Sequence, residues 1–272
     1  MDAKGLDLEE LLQRKGVLLG CAVDSGVLSF VEFSGRLGYD LTWIDLEHYS
    51  RSGVLLESFC ITCEASGVLS TMRLSDASRT SILQALELGT RIVVIPMVND
   101  AATAYEIVRH GKFAPLGNRG FNGGTRGLQY GLEDRSAAIQ YANEKTYLFP
   151  QIETAEALDR LEEIVNVDGI AGALVGPADL SISLGMPLDF TNPKFIECYQ
   201  DAIRRVRACG KIAATATGHA GLIGVALEAG LQILVGASDI VGVRDYMRGT
   251  LADLQGRVRA TQSAQQTAQP SI

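Results

Sequence analysis

Short apolar runs recur along the chain, and the stretches between them change to a helical period. The runs are VLLGCA (17–22), LTWID (41–45), VLSTMR (68–73), IVVIPM (92–97), TYLFPQI (146–152), AGALVG (171–176), KIAATA (211–216) and LQILVG (231–236). Most are nearly continuous in apolar residues, the pattern of parallel strands covered on both faces. Between them, DAATAYEIVRH and TAEALDRLEEIV space their apolar residues as helices do, and Thr154 stands at an N-cap position. Eight βα units in about 250 residues predict an α/β fold, a single (β/α)8 TIM barrel, with an open doubly wound sheet as the alternative. One connection is overlong: residues 97–146 hold a helix, the glycine-rich PLGNRGFNGGTRG and a second helical stretch, the signature of a functional or disordered loop. The barrel domain is expected over residues 1–262, followed by a flexible polar tail over 263–272.

Composition changes this picture little. A chain of 272 residues with 47% hydrophobic content carries enough apolar side chain for one large core. The net charge of −8, with no Lys/Arg cluster, argues against a nucleic-acid partner. No apolar stretch approaches the roughly 18–20 residues of a membrane span. The charged MDAKGLDLEELLQRKG does not read as a signal peptide, so no membrane association and a cytoplasmic location are expected. Of the five cysteines, Cys60 and Cys63 form a lone C-x-x-C on a helical pattern, weak evidence for zinc, and are read as buried, reduced thiols.

The barrel expectation sharpens where chemistry should fall, because catalytic groups of such barrels stand at the C-terminal ends of the strands. Asp45, Glu47 and His48 follow the second run, Arg73 closes the third, Gln151 and Glu153 end the fifth, and GPADLS follows the sixth. Helix capping explains Asp45 or Asp179 singly. It does not explain an Arg, a His and a Glu converging on one mouth. Glu153 and Asp179, on consecutive strands, suit a hard divalent ion completed by water and substrate oxygens, or else a pair of caps or an ion pair with Arg73. The turn Gly176-Pro177-Ala178-Asp179 leads its N–H groups into a helix, a seat for an anion. Arg73 suits an oxyanion. His48, three residues after Asp45, suits a general base oriented by that carboxylate, whereas His110 and His219 read as surface or packing residues. None of Lys4, Lys15, Lys112, Lys145, Lys194 or Lys211 ends a strand, which disfavours imine chemistry and favours a metal-assisted enolate.

GYDLTWIDLEH, VIPMV, PLGNRG, PQIETAEALDRLEEIVNVDGIAGALVGPADLS and the GK before the seventh run resemble, over roughly residues 16–260, the class II pyruvate-dependent aldolases. That family includes 4-hydroxy-2-oxoheptanedioate aldolase and the 2-keto-3-deoxy-sugar-acid aldolases. The resemblance implies a divalent metal ion (magnesium, manganese or cobalt) on Glu153 and Asp179, and no organic cofactor. It implies a 2-oxo acid and an aldehyde as reaction partners through a metal-stabilised pyruvate enolate. Arg73 would stabilise the enolate oxygen. His48, paired with Asp45, would take the hydroxyl proton together with a metal-bound water. Gln151 would orient the site, and Gly176, Pro177, Ala178 and Asp179 would seat the substrate carboxylate. A homohexamer with C-terminal helices exchanged between subunits is implied, with Glu87 standing where the family has an Asp directed at a neighbouring site. Departures fall at the first run, which lacks the usual Trp, at Leu46, and in GFNGGTRG after Arg119. These bear on the aldehyde more than on the chemistry. The alternatives are a decarboxylase or CoA-thioester lyase built on the same enolate, and a non-catalytic barrel that binds a keto acid.

Overall fold

The computed structural model describes residues 6–267. Eight parallel strands close into a barrel in sequence order: β1 Leu18–Ala22, β2 Leu41–Asp45, β3 Leu69–Arg73, β4 Ile92–Ile95, β5 Tyr147–Ile152, β6 Gly172–Val175, β7 Ile212–Ala216 and β8 Ile233–Ser238. β1 pairs with β8 to complete the circle, with a register shift between Gly20 and Cys21. The open-sheet alternative is thereby removed. Seven of the eight predicted runs contain their strands, β4 stopping two residues early; β8 is shifted two residues toward the C-terminus of its run, ending at Ser238.

Strand alternation sorts the side chains into two cores. Leu18, Leu41, Trp43, Leu69, Ile92, Val94, Tyr147, Phe149, Leu174, Ala214, Ile233 and Val235 fill the lumen. The helix Leu8–Lys15 plugs its N-terminal end with Leu8, Leu11 and Leu12, capped by the Asp7 carboxylate on the N–H groups of Glu9 and Glu10. The opposite parity, including Ile44, Met72, Val93, Leu148, Ile152 and Val175, packs outward against the helical ring with Phe59, Phe195 and Tyr199. The lumen is therefore a packed floor, and the chemistry is confined to the strand ends above it.

The long connection folds into the helix Ala101–Gly111, a 3-10 turn Arg126–Gly131 and the helix Arg135–Lys145. Its loop is tied down by the buried Lys112, whose Nζ donates to the carbonyls of Asn143 and Thr146, 2.5 and 2.6 Å away. Burial pulls the Lys112 pKa down to about 8, yet the ammonium is held by two carbonyls of the loop and helix that follow. Cys60 and Cys63 are buried and free, as expected; Cys21, Cys198 and Cys209 are free and half-buried. The helix Asp239–Thr267 runs on into the stretch expected as a flexible tail, and residues 268–272 lie outside the described residues. From Ile240 onward its described side chains are exposed, including Tyr246, Met247, Leu251 and Leu254. No helix among the described residues is long and apolar enough to cross a membrane.

Candidate active site

The lumen parity continues past the floor and delivers the polar groups. On β2, Leu41 and Trp43 point inward and so does Asp45; on β5, Tyr147 and Phe149 are followed by Gln151 and then Glu153. Asp45 and Arg73 are register partners on adjacent strands. Their side chains form a two-pronged pair, Arg73 Nε donating to Asp45 Oδ1 at 2.9 Å and Nη2 to Oδ2 at 2.7 Å. Glu47 adds a third anchor, its Oε2 lying 3.0 Å from Arg73 Nη1. The guanidinium stands 5.5 Å over the Trp43 ring. Burial opposes the Arg73 charge, but Asp45 and Glu47 outweigh it and hold its pKa above the ordinary value. Burial likewise opposes ionisation of Asp45, and the Arg73 hydrogen bonds outweigh it, so its pKa is lowered.

This geometry corrects one expectation. Asp45 does not pair with His48: both its oxygens go to Arg73, and Oδ1 also accepts the Glu47 N–H at 3.0 Å. The physical reason is register, which sets Arg73 directly across from Asp45, while His48 lies beyond the strand end. The His48 side chain is 62% exposed, its Nε2 4.0 Å from Glu47 Oε2. Glu47 therefore has a definite role as an Arg73 anchor, which its place in the motif alone did not reveal.

Glu153 is 1% exposed. Its Oε1 accepts the Met97 N–H at 2.8 Å, and its Oε2 accepts from Gln151 Nε2. Met97, expected as the last residue of the fourth strand, instead adopts a left-handed φ of 56° in the turn that presents this N–H. Burial raises the Glu153 pKa against these two hydrogen bonds, and the nearby charges of Glu47 and Asp179 raise it further. Gln151 is buried as well, and its Oε1 has no partner among the described residues. A Cβ at Gly176 would stand 3.2 Å from Glu153 Oε2, so the glycine keeps open the space beside this carboxylate. Asp179 is exposed in the first turn of the helix Pro177–Ser183. A buried carboxylate with a raised pKa, an exposed carboxylate beside it and an unused amide oxygen form an all-oxygen set. That set fits a hard divalent ion that keeps other ligands from water or substrate. Among the described residues no group of three or more His, Cys, Asp or Glu forms a closed metal cage, so two carboxylates are the charged donors available.

Asp45, His48, Arg73, Ala178 and Asp179 line one cavity of about 440 Å3 at the barrel mouth. Ala178 and Asp179 sit in a first helical turn, where N–H groups lack intrahelical acceptors. Glu87 is elsewhere. It lines a separate cavity of about 650 Å3 outside the barrel and forms an ion pair at 2.9 Å with Arg119 of its own chain. This pair ties it to PLGNRG, and its Oε2 is buried with no hydrogen-bond partner among the described residues. His219 caps the helix Ala220–Glu228 and packs on Phe190, a structural role as expected.

Three residues escaped the sequence reading: Asp24, Ser238 and Asp239. Asp24 lines the same cavity two residues beyond Ala22, on the lumen parity of β1, and Ser238 closes β8. Extending each strand's inward parity by one position would have found Asp24.

Residues 23–228 match the model of the family described as HpcH/HpaI aldolase/citrate lyase. The chain is 34% identical over 203 residues to the 2-keto-3-deoxy-L-rhamnonate aldolase of Klebsiella pneumoniae, covering 74% of this chain and 75% of that one. It is 32% identical over 237 residues to the enzyme of the same name from Escherichia coli K12, covering 86% and 85%. The crystal structure of an HpcH/HpaI aldolase from Desulfitobacterium hafniense superposes with a TM-score of 0.86 at 25% identity, over 92% of this chain and 97% of the other. The chain belongs to the HpcH/HpaI aldolase/citrate lyase family. Within it, this protein is a class II aldolase, a carbon–carbon lyase.

Proposed function

We propose that the enzyme cleaves a 4-hydroxy-2-oxo acid into pyruvate and an aldehyde, and runs the reverse aldol addition, at the mouth formed by β2, β3, β5 and β6. The observation that carries this reading is the meeting of a triply anchored arginine with a buried, high-pKa carboxylate. Glu153 and Asp179 would hold a divalent ion (magnesium, manganese or cobalt), which when bound stabilises negative charge developing on the substrate's keto oxygen. The N–H groups of Ala178 and Asp179 are available to the substrate carboxylate. Asp45 and Glu47 engage three of the five guanidinium N–H groups of Arg73, leaving donors for the same oxyanion. His48, exposed and free of Asp45, accepts the proton of the C4 hydroxyl. The C4–H aldehyde then departs, the C3–C4 bonding electrons pass into the pyruvate enolate, and protonation at C3 gives pyruvate.

The oligomer belongs to the same reading. The C-terminal helix Asp239–Thr267 exposes an apolar face, and Leu19 on β1 with Phe33 and Leu37 on the following helix are exposed on the barrel flank. Exchange of this helix between subunits would cover both surfaces, in a homohexamer or a smaller assembly. Purified protein supplied with magnesium, manganese or cobalt is expected to release pyruvate from 4-hydroxy-2-oxo acids and to stop on chelation. Pyruvate release that continues undiminished in excess chelator sinks the proposal.

A further inference from the structure

One wall of the cavity is built by the β1 and β8 ends, and it is preorganised around Asp24. The Asp24 N–H donates to Asp239 Oδ1 at 2.9 Å, and its carbonyl accepts from Arg51 Nη2. Its carboxylate Oδ2 accepts from Ser238 Oγ at 2.7 Å. Asp239, itself buried, also takes the Ser25 N–H and hydroxyl, so the whole β1 turn is pinned to the start of the C-terminal helix. Backbone and one carboxylate oxygen are thus fixed. The other, Oδ1, makes no hydrogen bond to any described residue, and the side chain lines the cavity that Arg73 and Asp179 share. Ala22, at the preceding inward position, lines the same cavity and leaves it open at this wall. The Asp24 and Asp45 carboxylates both line this cavity, and burial with Asp239 and Asp45 raises the Asp24 pKa against the Ser238 hydrogen bond and Arg73, so the β1 side is unfavourable to a further negative charge.

We infer that Asp24, positioned by Ser238 and Asp239, is the residue that selects the aldehyde, accepting a hydrogen bond from a hydroxyl on a neutral hydroxylated acceptor and disfavouring acceptors that carry a carboxylate. This rests on the aldolase reading and names the substrate class that the reading leaves open. A site built to bond a hydroxyl discriminates strongly against the analogue that lacks it, because the protein group is then left without its partner.

The test is condensation of pyruvate with glyceraldehyde, with propanal and with glyoxylate, scored as ratios of kcat/KM. Asp24→Asn and Asp24→Ala should each lower the glyceraldehyde-to-propanal ratio by about 10- to 100-fold, the worth of a hydrogen bond to a charged group. Both should raise the glyoxylate-to-propanal ratio. Ser238→Ala, which unpins the carboxylate, should lower the first ratio less. A purely structural role would change all acceptors together and leave the ratios unmoved in the three variants, which overturns the inference. Pyruvate incubated with the wild-type enzyme and divalent metal in deuterated water should exchange its methyl protons. Exchange with unmoved ratios overturns only the assignment of Asp24; absence of exchange in every metal overturns it together with the aldolase reading.

Discussion

The two corners of the barrel mouth each carry a pair of carboxylates in sequence and are opposite in physics. At the β2–β3 corner, Asp45, Glu47 and Arg73 satisfy one another within the chain, and the pKa shifts of Asp45 and Arg73 both favour the charged forms. At the β5–β6 corner, Glu153 is buried beside Asp179 with no cation among the described residues bonded to it, and its shift favours the neutral form. One corner is finished by protein charges; the other, on the proposed reading, would be balanced by a cation from outside the chain. On that reading a single site would combine a rigid donor for an oxyanion with a receptor for a metal.

The comparison breaks most severely at its finished corner. Arg73→Ala removes the donor and leaves Asp45 buried without its partner, so kcat should fall by about 100- to 1,000-fold or more, measured as pyruvate release at saturating substrate. Arg73→Lys should rescue little, since an ammonium cannot reproduce the planar fork on Asp45. A loss confined to KM would show that Arg73 binds ground state and transition state equally, and would remove its role as oxyanion donor.

A smaller effect distinguishes what Asp45 orients. Asp45→Asn keeps the shape but weakens the fork on Arg73, and should lower kcat roughly 10-fold or more, in line with losing a charge-assisted hydrogen bond. Because Asp45 bonds to Arg73 and not to His48, the pH at which the acidic limb of kcat turns over should move by less than about one unit. A larger downward move would restore the pairing that the D-x-E-H spacing suggested.

Most of the barrel was legible because burial on both faces writes itself as continuous apolar runs, and loss of that pattern marks each strand end. The residues at four of those ends, Asp45, Arg73, Glu153 and Asp179, were legible for the same reason. Their partners were not. Whether Asp45 meets Arg73 or His48 depends on inter-strand register, which spacing along one strand does not encode. The turn at Met97 was hidden because a methionine with a left-handed φ carries no turn signature of the kind glycine gives. Asp24 and Asp239 escaped because closure of the barrel brings residues 215 positions apart into contact across the β1–β8 seam.

The subtlest test lies at the unfinished corner and reads stability rather than turnover. In chelator-treated protein the folded-state pKa of Glu153 is raised above the ordinary 4.5, so the fold favours the protonated side chain. The stability associated with it is fully present below the unfolded value and is lost as pH rises through the folded one. Asp45, with a lowered pKa, works in the opposite sense: its contribution is present above the ordinary 3.8 and lost as pH falls through its folded value. Glu153→Gln should therefore stabilise the chelator-treated protein at neutral pH, by roughly 2–4 °C in Tm, the shift that about 1 kcal/mol produces in a chain near this size. The gain should shrink toward acid pH, where the wild-type side chain is already neutral. In the same thermal scans divalent metal should raise the Tm of the wild type and leave Glu153→Gln nearly unmoved. A Glu153→Gln protein that melts lower than wild type at neutral pH without metal would mean that Met97 and Gln151 already satisfy the carboxylate, and the contrast between the two corners would fail.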